Sequence, residues 1–389
     1  HPTMDKPWIE TPLIFSGPLS RVAGCNIYLK LENLQPSGSF KSRYVSVHLL
    51  SFFCILMTLN PNNPDVPNAL INDVHFYCSS GGNAGLACAT TAVSLRRRAT
   101  IVVPDTTSPW MIDKLQALND TAPSPDTIRV IQTGANWAQA DAYLRRAFLS
   151  SADAASKKGY GPRAVYVPPF DHPDVWAGAA TLVDEIRAQM PAADNQQQQQ
   201  QQQEEEAAPL LHGIVCSVGG GGLLNGICAG LGMDRDSDQG LSGTRVLAVE
   251  TCGADSLHAS VVAGEHVTLP GITSIATSLG ATRVSARTWE LAERWSSAGN
   301  GNGNGKLLTS MTVTDAEAAI ACVRFLDDAR QMVEPACGAT VAVVYNGALR
   351  RCLGEGMSDE EWRGKNMVLV VCGGSNVSFQ ILDGYLKAY

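Results

Sequence analysis

The sequence of 389 residues contains no Cys-x-x-Cys pair and no His-Glu-x-x-His segment. That removes the usual thioredoxin-like and zinc-site patterns. It has no run approaching the ~18 consecutive apolar residues of a membrane-spanning helix, and its first residues, HPTMDKPWIE, hold no apolar signal core. Charge is sparse at 17%, and basic residues are the minority, 29 against 37 acidic, for a formal net charge of −8. Binding to nucleic acid needs a basic face to neutralise phosphates, so neither nucleic acid nor a membrane is expected as a partner. The one dense basic run, Arg96-Arg97-Arg98, is short and suits the C-terminal end of a helix.

What is present is a large apolar fraction, 45%, and 36 glycines, several in tight clusters that shape backbone turns. The 11 cysteines are scattered and unpatterned, as expected of reduced thiols in a cytoplasmic protein. Short apolar runs at Tyr28–Leu31, His75–Cys78, Thr100–Val103, Ile128–Ile131, Ala164–Val167, Gly213–Ser217, Arg245–Val249 and Met367–Val371 read as buried parallel strands. Helix-like stretches lie between them: Gly85–Arg97, Asn136–Phe148, Trp176–Gln189 and Asp315–Arg330. This alternation predicts an α/β fold with open, mostly parallel sheets flanked by helices. The simplest grouping is one sheet near 75–131 and another near 164–371. Three polar segments, Asn60–Asn68, Asn195–Glu206 (eight glutamines, then three glutamates) and Asn300–Gly305, read as surface insertions.

Four segments carry chemistry. In Gln35-Pro36-Ser37-Gly38-Ser39-Phe40-Lys41, a lysine beside an aromatic follows a strand and opens a helix-like stretch, Val45–Leu59. An amine near a helix N-terminus loses proton affinity, as a Schiff-base lysine requires; on this segment alone, a surface lysine after a turn is equally compatible. Ser79-Ser80-Gly81-Gly82-Asn83 joins a strand to a helix and presents backbone N–H groups suited to a carboxylate. Ser217-Val218-Gly219-Gly220-Gly221-Gly222-Leu223 does the same with four glycines. It lacks the Gly-Lys-Ser/Thr of a Walker loop and the ribose-binding acid of a dinucleotide fold, so a monophosphate fits better. Cys372, ahead of Gly373-Gly374-Ser375-Asn376, ends the last strand. A strand end can aim a polar group at a ligand, though an inert buried thiol is the common outcome.

The segments LENLQPSGSFKSR, SSGGNAGLA, ATIVVPDTT, SVGGGGLLNGI, VEPACGA and VCGGSN, in this order along nearly the whole chain, resemble the serine/threonine dehydratases of the tryptophan-synthase-β family, the fold type II pyridoxal-phosphate enzymes. The resemblance implies a large lobe from 1–35 with 168–389, a small lobe 36–167, a disordered insertion at 190–208, and the cofactor in the cleft between the lobes. It implies Lys41 as Schiff-base lysine and Cα base, with Phe40 against the pyridine ring. Asn83 would bond the phenolic oxygen, and the stretch Ser79, Ser80, Gly81 and Gly82 would take the substrate carboxylate. Gly219, Gly220, Gly221, Gly222 and Leu223 would cradle the phosphate, and Cys372 would meet the pyridine nitrogen. A monovalent-cation site, potassium by preference, maps onto Gly219, Glu250, Ala254, Ser256, Leu279 and Ala281, the last replacing a frequent valine.

The activity implied is dehydration and deamination of L-serine and L-threonine to oxo acids and ammonia, by a homodimer. Gly81 stands where related racemases carry an acid/base serine and liver-type dehydratases an alanine, so racemisation is not expected and the pocket is expected to be roomier there. Ser278 falls where relatives stack an alanine on the cofactor ring. The chain ends at Tyr389 without a regulatory domain, so isoleucine control is not expected. The competing readings are a β-replacement synthase of the same fold, a non-catalytic cofactor-binding protein and a nicotinamide-dependent oxidoreductase.

Overall fold

The computed structural model describes residues 6–47, 74–150, 163–191, 211–234, 243–296 and 306–389. The three polar segments and most of Val45–Leu59 lie outside these residues. The chain packs as two compact units. One comprises His1–Ile9, Leu34–Ala179 and Gly374–Asn376; the other comprises Glu10–Asn33, Ala180–Gly373 and Val377–Tyr389.

The first unit holds a four-stranded sheet. β3 (Val74–Cys78), β4 (Arg98–Val103), β5 (Ile128–Gln132) and β6 (Arg163–Tyr166) stand in the order β5-β4-β3-β6, all parallel. β4 is buried over Ala99–Val103, the continuous apolar run of a strand covered on both faces. The helix Asn83–Ser94 follows β3, buries Ala84, Leu86, Ala87, Cys88, Ala89 and Ala92, and packs with Phe76, Ile101 and Val103 into one core. Its end places Arg96 in the left-handed region, φ 54°, and Arg98 already belongs to β4. The basic run therefore closes the helix only in part.

The second unit holds a six-stranded sheet of β1 (Leu13–Phe15), β2 (Asn26–Lys30), β7 (Gly213–Ser217), β8 (Arg245–Thr251), β9 (Leu308–Val313) and β10 (Asn366–Val370). Its order is β1-β2-β10-β7-β8-β9, with only β1 antiparallel. All eight strands anticipated from apolar runs are present. The structure corrects their grouping, because β6 pairs with β3 (Phe76↔Val165) and not with the strands after it. It also adds two edge strands. β1 has three residues, with Ile14 and Phe15 exposed, and β9 is buried only at Leu308 and Val313. Neither presents the apolar run that marks an interior strand.

Candidate active site

Within the first unit, Lys41 starts the helical stretch 41–47 directly after Phe40. Its amine lies 5.0 Å from the ring centres of Phe40 and of Tyr44 and donates to the Pro169 carbonyl at 3.3 Å. The Tyr44 hydroxyl donates to the same carbonyl at 2.9 Å, so the lysine is held between two aromatic faces and a fixed acceptor.

The loop Ser79–Gly82 runs from the C-terminal end of β3 into the helix Asn83–Ser94. No side chain caps this helix at Gly82, and no acceptor among the described residues takes the backbone N–H of Ser80 or Gly81. Donors left over at the start of a 12-residue helix suit a carboxylate. The Asn83 side-chain oxygen accepts from the Ser375 N–H at 2.9 Å, and the Gly374 N–H bonds the Gly38 carbonyl at 3.0 Å. The Gly374–Asn376 strip thus packs beside both candidate loops of this unit. The Asn83 amide thus uses its oxygen as acceptor, which leaves donors as the remaining polarity of that side chain.

Ser79 is fully buried and its hydroxyl donates to Asp141 at 2.5 Å. Asp141 also accepts from the Tyr166 hydroxyl at 2.8 Å and from Arg145 Nε at 2.6 Å. Burial alone would raise the Asp141 carboxyl; the hydrogen bonds from Arg145, Ser79 and Tyr166 together outweigh it and hold the group below its ordinary value. Sequence reading missed Asp141, which sits inside an ordinary helix with nothing local to mark it.

At Gly81 the structure overturns the expectation of a roomier pocket. A Cβ added there would lie 2.5 Å from Thr107 Oγ1, 2.7 Å from its Cγ2 and 3.2 Å from its Cβ. The volume that an alanine would take is already filled by Thr107.

In the second unit, Gly219–Leu223 connects β7 to the helix Gly222–Gly230. Gly221 has φ 96°, a backbone that side chains resist, and a Cβ there would run into the Thr288 hydroxyl. Behind the loop, Asn225 donates to Ser285 Oγ at 3.0 Å, Thr288 donates to Asn225 Oδ1 at 2.8 Å, and the two hydroxyls meet at 2.8 Å. The Ser285 N–H bonds the Gly220 carbonyl at 3.0 Å. Among the described residues no acceptor takes the N–H groups of Gly219, Gly220, Gly221, Gly222 or Leu223. A run of such donors at a helix start, close-packed at Gly221, suits a phosphate group.

Cys372 is buried at the end of β10, 3.5 Å from Ser217 Oγ. A hydrogen bond to Cys372, together with burial, holds the Cys337 thiol far above the ordinary thiol range.

Of the anticipated cation set, Gly219 packs on Leu279 (its Cβ would stand 3.2 Å from Leu279 Cα), and the Ala281 N–H bonds the Leu279 carbonyl at 2.7 Å. Glu250, fully buried, accepts from the backbone N–H of Leu257 at 2.9 Å and of His258 at 2.7 Å. Burial pushes its carboxyl up to about 8 despite those two donors. Ala254 turns the chain between β8 and the helix Ser256–Ala263, and Ser256 Oγ is buried without a hydrogen-bond partner.

The sequence matches the family model described as pyridoxal-phosphate dependent enzyme over residues 5–373. A human protein named serine dehydratase-like is 36% identical over 375 residues, 96% of this chain and 93% of its own length. The bovine L-serine dehydratase/L-threonine deaminase is 37% identical, covering 97% of this chain and 95% of the relative. Among solved structures, a fungal L-serine ammonia-lyase from Rhizomucor miehei superposes with a TM-score of 0.70 at 30% identity, over 98% of this chain and 99% of the other. The processed threonine deaminase isoform 2 of Solanum lycopersicum, 23% identical with a TM-score of 0.67, shares the fold. With two mostly parallel sheets, a lysine after a strand and a glycine cradle at a helix start, and with likeness along its whole length, the chain belongs to the pyridoxal-phosphate dependent enzyme family.

Proposed function

We propose that this protein dehydrates and deaminates L-serine, and L-threonine beside it, releasing pyruvate or 2-oxobutyrate and ammonia. The observation that carries the reading is likeness over nearly the full length of both partners to proteins named for that reaction. The residues present suit the cofactor: five unclaimed backbone donors for a phosphate, a lysine clamped between aromatic rings, and a buried thiol at a strand end. Pyridoxal phosphate, when bound, supplies the electron sink for cleavage at Cα.

The roles of this chain's own groups follow. The N–H groups of Ser80 and Gly81, on the loop from Ser79 to Gly82, hold the substrate carboxylate, and Asn83 donates to the ring oxygen. Gly219 to Leu223 bind the phosphate, and Phe40 packs on the ring. Lys41 would anchor the cofactor and, once the substrate amine is in place, would take the Cα proton on its amine. Cys372 would face the pyridine nitrogen, where a thiol in place of a carboxylate would supply no counter-charge to a protonated ring. Gly219, Glu250, Ala254, Ser256, Leu279 and Ala281 hold a monovalent cation that keeps the phosphate cradle in place. The unsatisfied Ser256 hydroxyl and the buried Glu250 carboxyl support that assignment, since both gain a partner from a cation.

The test is oxo-acid release from L-serine by wild type and Lys41→Ala, each saturated with cofactor, in potassium and again in a bulky organic cation. Pyruvate from wild type, near-complete loss in the variant together with its visible cofactor band, and weaker activity without potassium are expected. A visible band with no oxo acid from either amino acid would instead direct the search to β-replacement with a sulfur nucleophile.

A further inference from the structure

We propose that Thr107 is the side chain that sets the size of the substrate pocket at Gly81 and so governs the choice between serine and threonine; this rests on reading Ser79–Gly82 as the substrate loop. β3 and β4 are adjacent and parallel, so the loops at their C-terminal ends lie side by side. The second of these loops, Pro104–Ser108, delivers Thr107 to Gly81. All three heavy atoms of the Thr107 side chain fall within 3.2 Å of the place a Cβ at residue 81 would occupy. Thr107 therefore stands in for the side chain that Gly81 lacks.

Its position is tightly determined. The Thr107 N–H bonds the Pro104 carbonyl at 3.0 Å, and the Asp105 N–H bonds Gly134 at 2.8 Å. Gln132 donates to the carbonyls of Asp105 at 2.9 Å and Thr107 at 3.5 Å. The next residue, Ser108, caps the helix Pro109–Ala117 through the Met111 N–H. A turn pinned from both sides cannot retreat cheaply.

Nor can rotation clear the space. Threonine carries two heavy atoms over three staggered positions at Cβ, and two of those positions face Gly81. Every rotamer leaves at least one heavy atom there. A serine has a rotamer that clears both positions, an alanine keeps only the Cβ at 3.2 Å, and a valine never clears them. No hydrogen bond among the described residues engages the Thr107 hydroxyl, so its contribution here is volume and a polar group facing the loop, not a strut.

The experiment is a mutant cycle on the cofactor-loaded enzyme: Gly81→Ala, Thr107→Ala, the double variant and Thr107→Val, with kcat and KM for both amino acids and thermal midpoints. Gly81→Ala alone should lower kcat/KM for serine on the order of tenfold or more, since one buried methyl group reaches that scale. The double variant should recover most of that loss, a non-additivity that two independent sites would not show. Thr107→Ala should shift the threonine-to-serine ratio of kcat/KM upward by roughly tenfold. Thr107→Val, equal in shape, should leave the ratio close to wild type, which separates volume from the hydroxyl. Additive losses in the double variant, in rate and thermal midpoint alike, would overturn the proposal, as would an unchanged ratio in Thr107→Ala. If wild type turns over neither amino acid, the proposed reaction falls, while coupling of the thermal midpoints still judges the packing of Thr107 on Gly81.

Discussion

A single buried carboxylate shows how the loop Ser79–Gly82, proposed to take the substrate, is held. Asp141 takes three hydrogen bonds, and one comes from Ser79, the first residue of that loop. Charged hydrogen bonds of this kind contribute about 1.5–3 kcal/mol each. Asp141→Asn keeps the shape but removes the charge and turns an N–H2 toward one of its donors. We expect KM for serine to rise about tenfold with kcat changed much less, because the residue touches the loop and not the reacting atoms. Equal falls in kcat and kcat/KM would refute a positioning role. Because its folded carboxyl lies below the ordinary 3.8, Asp141 stabilises the fold above that pH, and the contribution disappears as pH falls through the lower folded value. The acid limb of the unfolding profile should therefore flatten in the variant. Gly221 makes the complementary point, since its left-handed backbone and its contact with Thr288 leave room for no other residue.

At the level of elements, each loop whose N–H groups find no acceptor among the described residues starts at the C-terminal end of a parallel strand of its own unit, β3 in one and β7 in the other. The small sheet also carries a pH signature of its own. His75 on β3 stacks on Tyr77 at 4.5 Å and meets Thr100 on β4 at 2.8 Å. Burial, then the charges of Arg98 and Arg129, lower its pKa from 6.5 to about 4. A depressed folded value means the neutral ring is favoured in the fold, so the stabilisation is complete above pH 6.5 and is lost as pH falls toward about 4. Unfolding free energy followed across that interval should decline in wild type and decline less in His75→Gln. Identical slopes would mean that His75 is as accessible to protons as in the unfolded chain.

For the molecule as a whole, the net charge of −8 is spread over a chain in which charged residues are only 17%, a balance that suits a small-molecule enzyme better than a polyanion binder. No helix among the described residues is long and apolar enough to cross a membrane. We propose that the chain assembles as a homodimer. Sedimentation equilibrium at micromolar concentration should return twice the mass of one chain, and a single-chain mass with full activity would refute that assembly. The first unit buries two hydrophobic clusters, one around Phe76 and Ile101 and one around Tyr77 and Val102, and the motifs divide between the units: Lys41 and Ser79–Asn83 belong to the first, and Gly219–Leu223, Glu250 and Cys372 to the second.

The amino-acid order by itself determined the α/β class, the eight parallel strands with apolar runs and the glycine-rich turns that follow three of them, because buried parallel strands demand continuous apolar runs and tight strand-to-helix turns demand glycine. It also marked Lys41 and Cys372, each placed beside a strand by local pattern. It did not reveal the short edge strand β1, or that β6 joins β3, because sheet order depends on pairing between distant segments that leaves no local period. Nor did it reveal that Asp141 grips Ser79, that Asn225, Ser285 and Thr288 back the glycine cradle, or that Thr107 fills the space at Gly81. Those partners lie 26 to 63 residues apart in the chain, and only close packing of neighbouring strand ends brings them within contact.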